Sequence, residues 1–276
     1  MSIDKQKIYE SPLGKVARHA DYHDATLLFP IARNTQRDAL NIPNPIPFKG
    51  VDIWNAYELS WLNSRGKPCL AIAEFIFPCT SPYLIESKSF KLYINSFSQT
   101  IFNSLDSVKE TLYKDLSAAS HSPVFIKLSL LPEHHQTRII NLTGEYLDEL
   151  DVAIDTYSIT PEFLSTEKKL VTETLCSNLL KSNCLVTGQP DWASIQISYT
   201  GNKINHAGLL KYLISFRTHN DFHEHCVENI FMDILKICAP EKLTVYARYT
   251  RRGGLDINPY RSTEDTVPKN IRTARQ

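Results

Sequence analysis

The sequence is short of the residues that several common chemistries require. It has only 9 glycines in 276 residues, and none falls in G-x-G-x-x-G or G-x-x-x-x-G-K. A Rossmann or P-loop turn is therefore excluded as the holder of any nucleotide. Its 6 cysteines (Cys69, Cys79, Cys176, Cys184, Cys226, Cys238) never pair as C-x-x-C, which excludes a disulfide scaffold and predicts reduced thiols. Nine histidines include His134-His135, His219, His223 and His225, but no H-E-x-x-H or Cys/His cluster has zinc spacing, so no metal is expected. Net charge is absent as well: 30 Lys+Arg balance 30 Asp+Glu, which removes any overall drive toward nucleic acid or anionic membrane. No window reaches the roughly 18 apolar residues of a membrane span. The start, MSIDKQKIYE, has no apolar run of a secretion signal, so the expectation is a cytoplasmic protein.

What remains is ordinary globular composition, 42% hydrophobic and 22% charged, in a length that suits one large or two small domains. Residues 1–50 are rich in turn formers, and Asn41-Ile42-Pro43-Asn44-Pro45-Ile46-Pro47 discourages helix and central strand, which predicts an irregular N-terminal arm. VDIWNAYELSWL (51–62), a turn at Asn63–Pro68 and CLAIAEFIF (69–77) read as a hairpin. FKLYINSF and SVKETLYKDL read as helices, the second with a capping box of Ser107 and Glu110, and PVFIKLSL reads as a strand. The order then repeats: KLVTETLCS (169–177) and WASIQISYT (192–200) as strands, HAGLLKYLISF and FHEHCVENIFMDILKIC as helices, KLTVYARY as a strand. A shift of 119 residues superposes Tyr93 on Tyr212, Ser96 on Ser215 and Phe97 on Phe216. The expectation is an α+β protein of two duplicated β-β-α-α-β modules, 51–165 and 166–276, each an antiparallel sheet with helices on one face.

Four segments carry residues suited to chemistry. Cys184, in SNCLVTGQPDW, lies on a connection between strands, and Asp191, seven residues on, is placed to serve the thiol if the loop folds back. A cysteine nucleophile needs such a partner or a lowered pKa. An ordinary buried thiol is the plain alternative, and Cys79, after Pro78, is a rival nucleophile. Phe222-His223-Glu224-His225 opens the longest helix, where an acid is stabilising without any function and His225 reads as a surface residue. Ile85-Glu86-Ser87-Lys88-Ser89-Phe90-Lys91-Leu92-Tyr93 opens another helix, with Ser87 and Ser89 as caps and free N–H groups beside Lys88 suited to a phosphate, and a capped helix with solvated lysines is the plain alternative. Last, Arg248 and Arg251-Arg252-Gly253-Gly254 begin a tail with seven basic and three acidic residues. Arginines beside paired glycines suit a phosphate too, and a solvated strand end is the ordinary explanation.

Read together, ESKSFKLY, SNCLVTGQPDW, SFRTHNDFHEHCVE and YARYTRRGGLDINP resemble the long, two-module form of the NADPH-dependent 7-cyano-7-deazaguanine reductase (QueF) family over nearly the whole chain. The resemblance implies a tunnelling fold of two pseudo-repeated modules in a cytoplasmic homodimer. It also implies reduction of the nitrile of a free deazaguanine base to the amine in queuosine biosynthesis, a tRNA modification, without direct nucleic-acid or membrane contact. By this resemblance Cys184 forms a covalent thioimide with the nitrile carbon and Asp191 is its acid/base partner, assisted by His223. Glu86 and Glu224 hold the base, with Ile85, Ser87 and His223 lining the pocket. Ser87, Lys88, Arg252 and Gly253 receive NADPH. Other readings stand beside it: a zinc-using, pterin-forming cyclohydrolase on a related fold, a non-catalytic purine-binding module, and a Cys-His-Asp amidase or nitrilase.

Overall fold

Alternating apolar residues at 51–62 and 69–77 fold into the expected hairpin in a computed structural model, which describes residues 22–131 and 138–276. His134-His135 and the first 21 residues lie outside these. The chain divides into two compact units that are not linear in sequence. Met1–Arg37, Ile53–Arg138 and Arg251–Asp256 form the first, and Asp38–Asp52, Ile139–Thr250 and Ile257–Gln276 the second. The fold class is α+β. Antiparallel pairing predominates among the described residues, and β6 (Glu145–Tyr146) pairs parallel with β7 (Thr166–Asn183).

In the first unit β5 (Phe125–Leu130), β3 (Pro68–Pro78) and β2 (Lys49–Leu62, from Ile53 onward) lie side by side. Trp54 and Phe75, buried on the strands, pack on Phe90 of α2 (Ser87–Ser96) with centroids 5.0 and 5.2 Å apart. Helix α3 (Leu105–Ser120) buries Val108, Leu112 and Leu116, the i, i+4, i+8 stripe that makes it helical and amphipathic. A short β1 (Pro30–Ala32), paired with β4 (Tyr83–Ile85), and helix α1 (Arg33–Ala39) also belong here. The N-terminal arm is therefore not irregular throughout, because Arg33 and Arg37 are buried and reach Ser81 Oγ and the Cys79 carbonyl.

In the second unit β7 and β8 (Pro190–Ile204) form a long hairpin paired from Thr166↔Ile204 to Asn183↔Pro190, with register shifts between Glu167 and Leu170 and between Ser177 and Leu180. β9 (Lys242–Tyr249) follows beside β8, and β10 (Leu255–Ser262) beside β9. Helices α4 (His206–Ser215) and α5 (His223–Cys238) supply Leu209, Leu213, Ile230, Phe231 and Ile234 to the core. The reading of a solvated strand end is corrected at Arg248, which is buried, while Arg251 and Gly253 are exposed; β10, which the sequence did not disclose, is buried at all eight residues.

The duplication is visible in detail. Helices α2 and α4 start 119 residues apart, and each runs 10 residues into a short 3₁₀ turn. α3 and α5 each run 16 residues and end on a left-handed residue, His121 or Ala239. Tyr93 Oη donates to Asp115 at 2.8 Å, and Tyr212 Oη donates to Asp233 at 2.6 Å. Ser96 and Ser215 each donate to the carbonyl three residues back at 2.6 Å. The box that caps α3 is Ser104 with Ser107, not Ser107 with Glu110, because the helix begins one turn earlier. Burial and Asp233 push the Tyr212 hydroxyl well above the usual tyrosine range, so it stays a donor. Tyr212→Phe should cost about 1–2 kcal/mol by stranding the Asp233 carboxyl, and Tyr93→Phe less, because His23 Nε2 lies 2.7 Å from the Asp115 carboxylate and keeps it paired, as read from urea unfolding.

Candidate active site

Cys184 sits at the tip of the β7–β8 hairpin. Strand β7 runs on to Asn183, so the connection is shorter than the sequence suggested, and Asp191 stands inside β8 rather than before it. Ser182 pairs with Asp191 across the strands, so the chain folds back as the seven-residue spacing required. The Cys184 N–H donates to the Gln189 carbonyl at 2.8 Å and the Gly188 N–H to the Cys184 carbonyl at 3.0 Å. Gly188 has φ +65°, a turn conformation that favours glycine. Cys184 and Asp191 are both buried, at 8% and 7% exposure.

The start of α5 is brought to the same strand end. The Asn183 N–H donates to the His219 carbonyl (2.8 Å), and the Asp221 N–H to the Asn183 carbonyl (3.0 Å). His223 Nε2 then lies 3.4 Å from Asp191 Oδ2, with its ring 4.0 Å from that of buried Tyr249. Glu224 is buried in the first turn. His225 is fully buried, which corrects the surface reading, and its Nδ1 lies 3.3 Å from Asp221 Oδ1. His219 Nε2 is 3.4 Å from the other oxygen of Asp221. Burial alone would raise the Asp221 carboxyl, but the neighbouring His219 and His225 outweigh it and hold the group at about 2.

In the first unit Glu86, not a serine, caps α2. Its two carboxylate oxygens accept the Lys88 N–H at 2.6 Å and the Ser89 N–H at 2.7 Å. Those N–H groups are therefore not left open to a phosphate. Burial raises the Glu86 carboxyl above its ordinary range, opposed by these two bonds and by the charges of Lys91 and Lys88. Ile85 is buried beside it, and Ser87 and Lys88 are half-buried. Arg252-Gly253-Gly254-Leu255 is a tight turn closed by the Arg252 N–H on the Leu255 carbonyl at 3.0 Å, with φ +60° and +68° at the glycines. A Cβ at Gly254 would fall 2.3 Å from Glu58 Cδ, and one at Gly253 would fall 3.3 Å from Lys91 Cδ. The turn and α2 border a small pocket with Ala56, Glu58, Phe90 and Lys91 in its wall, and Arg251 stacks over Tyr57 at 4.5 Å. The sequence singles out the segments that hold Lys91 and Arg251 without assigning either residue to the cofactor. Lys91 stands one helical turn after Lys88, a spacing that could have disclosed it.

Cys184, Asp191, His223 and Glu224 thus belong to the second unit, and Ile85, Glu86, Ser87, Lys88, Arg252 and Gly253 to the first. Cys79 is buried in a turn of the first unit, its carbonyl taken by Arg37. Among the described residues, Glu145, Glu173 and His206 could gather around a cation. Their spread along the chain hid them from a spacing search. Here Glu173 lies 3.1 Å from one ring nitrogen of His206 and Glu145 lies 3.6 Å from the other, so the imidazole is held between two carboxylates. No helix among the described residues is long and apolar enough to cross a membrane.

Two family models match the chain. One is described as nitrile reductase, 7-cyano-7-deazaguanine-reductase N-term, over residues 19–128, and the other as QueF-like protein, over 190–268. Cys184 lies between the two matched stretches. Relatives named NADPH-dependent 7-cyano-7-deazaguanine reductase bridge the gap. That of Chromobacterium violaceum is 57% identical over 100% of both chains. That of Burkholderia thailandensis is 56% identical over 96% of this chain and 98% of its own. The apo crystal structure of the archaeosine synthase QueF-Like aligns with 37% of this chain and 99% of its own at TM-score 0.31 and 15% identity, too low a likeness to bear on the fold.

The remaining buried thiols are chemically quiet. Burial pushes Cys176 and Cys238 up to about 11 and Cys226 up to about 12, the last against hydrogen bonds from Tyr249 and Ser182. A raised thiol pKa keeps the sulfur protonated and unreactive at neutral pH. Iodoacetamide at pH 8 should therefore leave Cys176, Cys226 and Cys238 unlabelled in the native protein while half-buried Cys69 reacts, as read by peptide mass spectrometry. Labelling of Cys226 as fast as Cys69 would contradict that burial.

Proposed function

The chain belongs to the 7-cyano-7-deazaguanine reductase (QueF) family, and from that membership we propose that it reduces the nitrile of 7-cyano-7-deazaguanine to a primary amine, with NADPH, in queuosine biosynthesis. The observation that carries the reading is the meeting of three segments at one strand end: the Cys184 turn, Asp191 across the hairpin, and His223 3.4 Å from Asp191.

A nitrile carbon is a poor hydride acceptor until a nucleophile adds to it. The Cys184 sulfur bonds to that carbon as the nitrile nitrogen takes a proton from the Asp191–His223 pair, giving a covalent thioimide. NADPH supplies a hydride at each of two reductions. After the first, the nitrogen lone pair re-forms a C=N bond and expels the Cys184 sulfur, which recovers a proton and leaves an imine. The second reduction and one more proton give the amine. Asp191 and His223, in hydrogen-bond range of each other, can pass these protons without either group leaving its place.

Glu86 and Glu224 are assigned to the base. A guanine-like edge presents N–H donors that buried carboxylates accept in pairs, and a carboxylate oxygen that caps a helix keeps a second lone pair. Ile85 and Ser87, the sequence neighbours of Glu86, are assigned to the same pocket. Ser87, Lys88, Arg252 and Gly253 are assigned to NADPH, with Lys91 and Arg251 added. Gly253 lies against the end of the Lys91 side chain, which brings a cation to the turn, whereas Glu58 fills the side-chain-free face of Gly254. We retain 51–165 and 166–276 as the two modules, and a homodimer in the cytoplasm, as parts of the same proposal.

Mixing protein, nitrile and cofactor should oxidise about two NADPH per nitrile, followed by cofactor absorbance. Without cofactor, intact mass should rise by one substrate, and Cys184→Ala should abolish both signals. Full turnover by Cys184→Ala would sink the proposal. Arg252→Ala should raise the KM for NADPH about tenfold and erase its preference over NADH, with little change in kcat. An unchanged KM ratio would remove Arg252 from the cofactor site.

A further inference from the structure

The two copies differ at the start of their longer helix. In the first copy α3 is capped by Ser104, whose side chain accepts the Ser107 N–H. In the second, the equivalent position before α5 is Phe222, whose side chain makes no cap. The preceding residue, Asp221, has taken over. Its Oδ1 accepts the Phe222 N–H at 2.8 Å, and its two oxygens face His225 and His219. Its own N–H is bonded to the carbonyl of Asn183, the residue before Cys184. Asp221 is buried, at 7% exposure, between the segment that bears the thiol and the helix turn that bears His223 and Glu224.

We propose that Asp221 is a positioning residue: its buried carboxylate, clamped between His219 and His225, fixes the first turn of α5 against the Cys184 turn and so sets the thiol, His223 and Glu224 in register. It touches neither substrate nor cofactor. It acts through the two backbone hydrogen bonds at Asn183 and through the cap on Phe222. A neutral amide at this site keeps the shape and the Phe222 cap but gives up one of the two anionic acceptors that the histidines share. The inference rests on the reading of Cys184 as the reacting thiol, and its test has an arm that does not depend on turnover.

The test is alkylation of each cysteine by iodoacetamide in the full chain, native, at pH 8, comparing wild type with Asp221→Asn. Loss of the clamp should free the hairpin tip, so labelling of Cys184 rises at least fivefold more than labelling of two other buried thiols, Cys79 of the first unit and Cys176 farther back on β7. A rise shared equally by all three, or none at Cys184, overturns the proposal, because Asp221 would then serve general stability alone. In steady state the same variant should lose at least tenfold in kcat with the KM for NADPH within twofold. If wild type shows no nitrile-dependent NADPH oxidation, the function proposed above fails while the labelling arm still decides the role of Asp221. Should Asp221→Asn not fold, His225→Asn and His225→Leu replace it. Asparagine keeps a donor where the ring Nδ1 stands and should hold the Cys184 labelling near that of wild type, and leucine should not. Equal labelling of Cys184 in these two variants overturns the proposal as well.

Discussion

Two backbone hydrogen bonds at Asn183 are the constraint on which the candidate chemistry depends. The last residue of a hairpin strand would ordinarily leave its outward N–H and C=O to water. Here both are taken by the His219–Asp221 segment, and in a buried setting such groups cannot be left unpaired without a cost of about 1–3 kcal/mol each. The pairing therefore fixes where the chain before α5 must pass, and with it the position of His223 beside Asp191. A nucleophile and its acid–base partners are useful only at near-contact distances, and the strand-like bridge supplies that precision from backbone geometry rather than from long flexible side chains.

The repeat separates scaffold from site. Tyr93 and Tyr212 with their aspartates, Ser96 and Ser215, and the helix lengths agree between the copies because they set helix packing. Differences gather at helix starts. α2 begins with Glu86 where α4 begins with Asn205, each capping by a side-chain oxygen. α3 begins with Ser104 where α5 begins with Phe222. A helix N-terminus offers orphan N–H groups and partial positive charge, so exchanging its capping residue alters what can bind there while the packed face stays unchanged. Glu86 is both cap and buried carboxylate, which ties any role in holding a base to the integrity of the helix.

Periodicity made most of the fold legible. The hairpins, four long helices and the duplication followed from alternation and from the 119-residue shift, since strand and helix periods are written locally. What escaped has a common cause. Strand β10, the short α1 and the burial of His225 depend on partners far along the chain, so their polar residues looked solvated. LDINPYRS contains charges and a proline, yet Arg261 is buried against Glu228 at 2.8 Å and Asp52 at 2.8 Å. Of the site, the residue types in SNCLVTGQPDW and FHE disclosed the thiol and its candidate partners. Asp221 did not stand out, because its meaning comes from contacts rather than from motif.

The same sorting of charges narrows where an anionic cofactor can lie. The basic excess of the tail suggested a cationic surface from Arg248 onward. Arg248 and Arg261 are instead buried and spent on the interior, the first on Gln276, Asn270 and Tyr246, the second on its two acids. Arg275 donates to the Asn178 carbonyl, and Arg272 to the Gln276 carbonyl. Of the arginines in the tail, only Arg251 and Arg252 flank paired glycines in left-handed conformation, and that turn is the one that abuts Lys91 of α2. Net neutrality of the whole chain is compatible with such a site, because phosphate recognition needs a local concentration of donors around an open backbone and not an excess of charge overall.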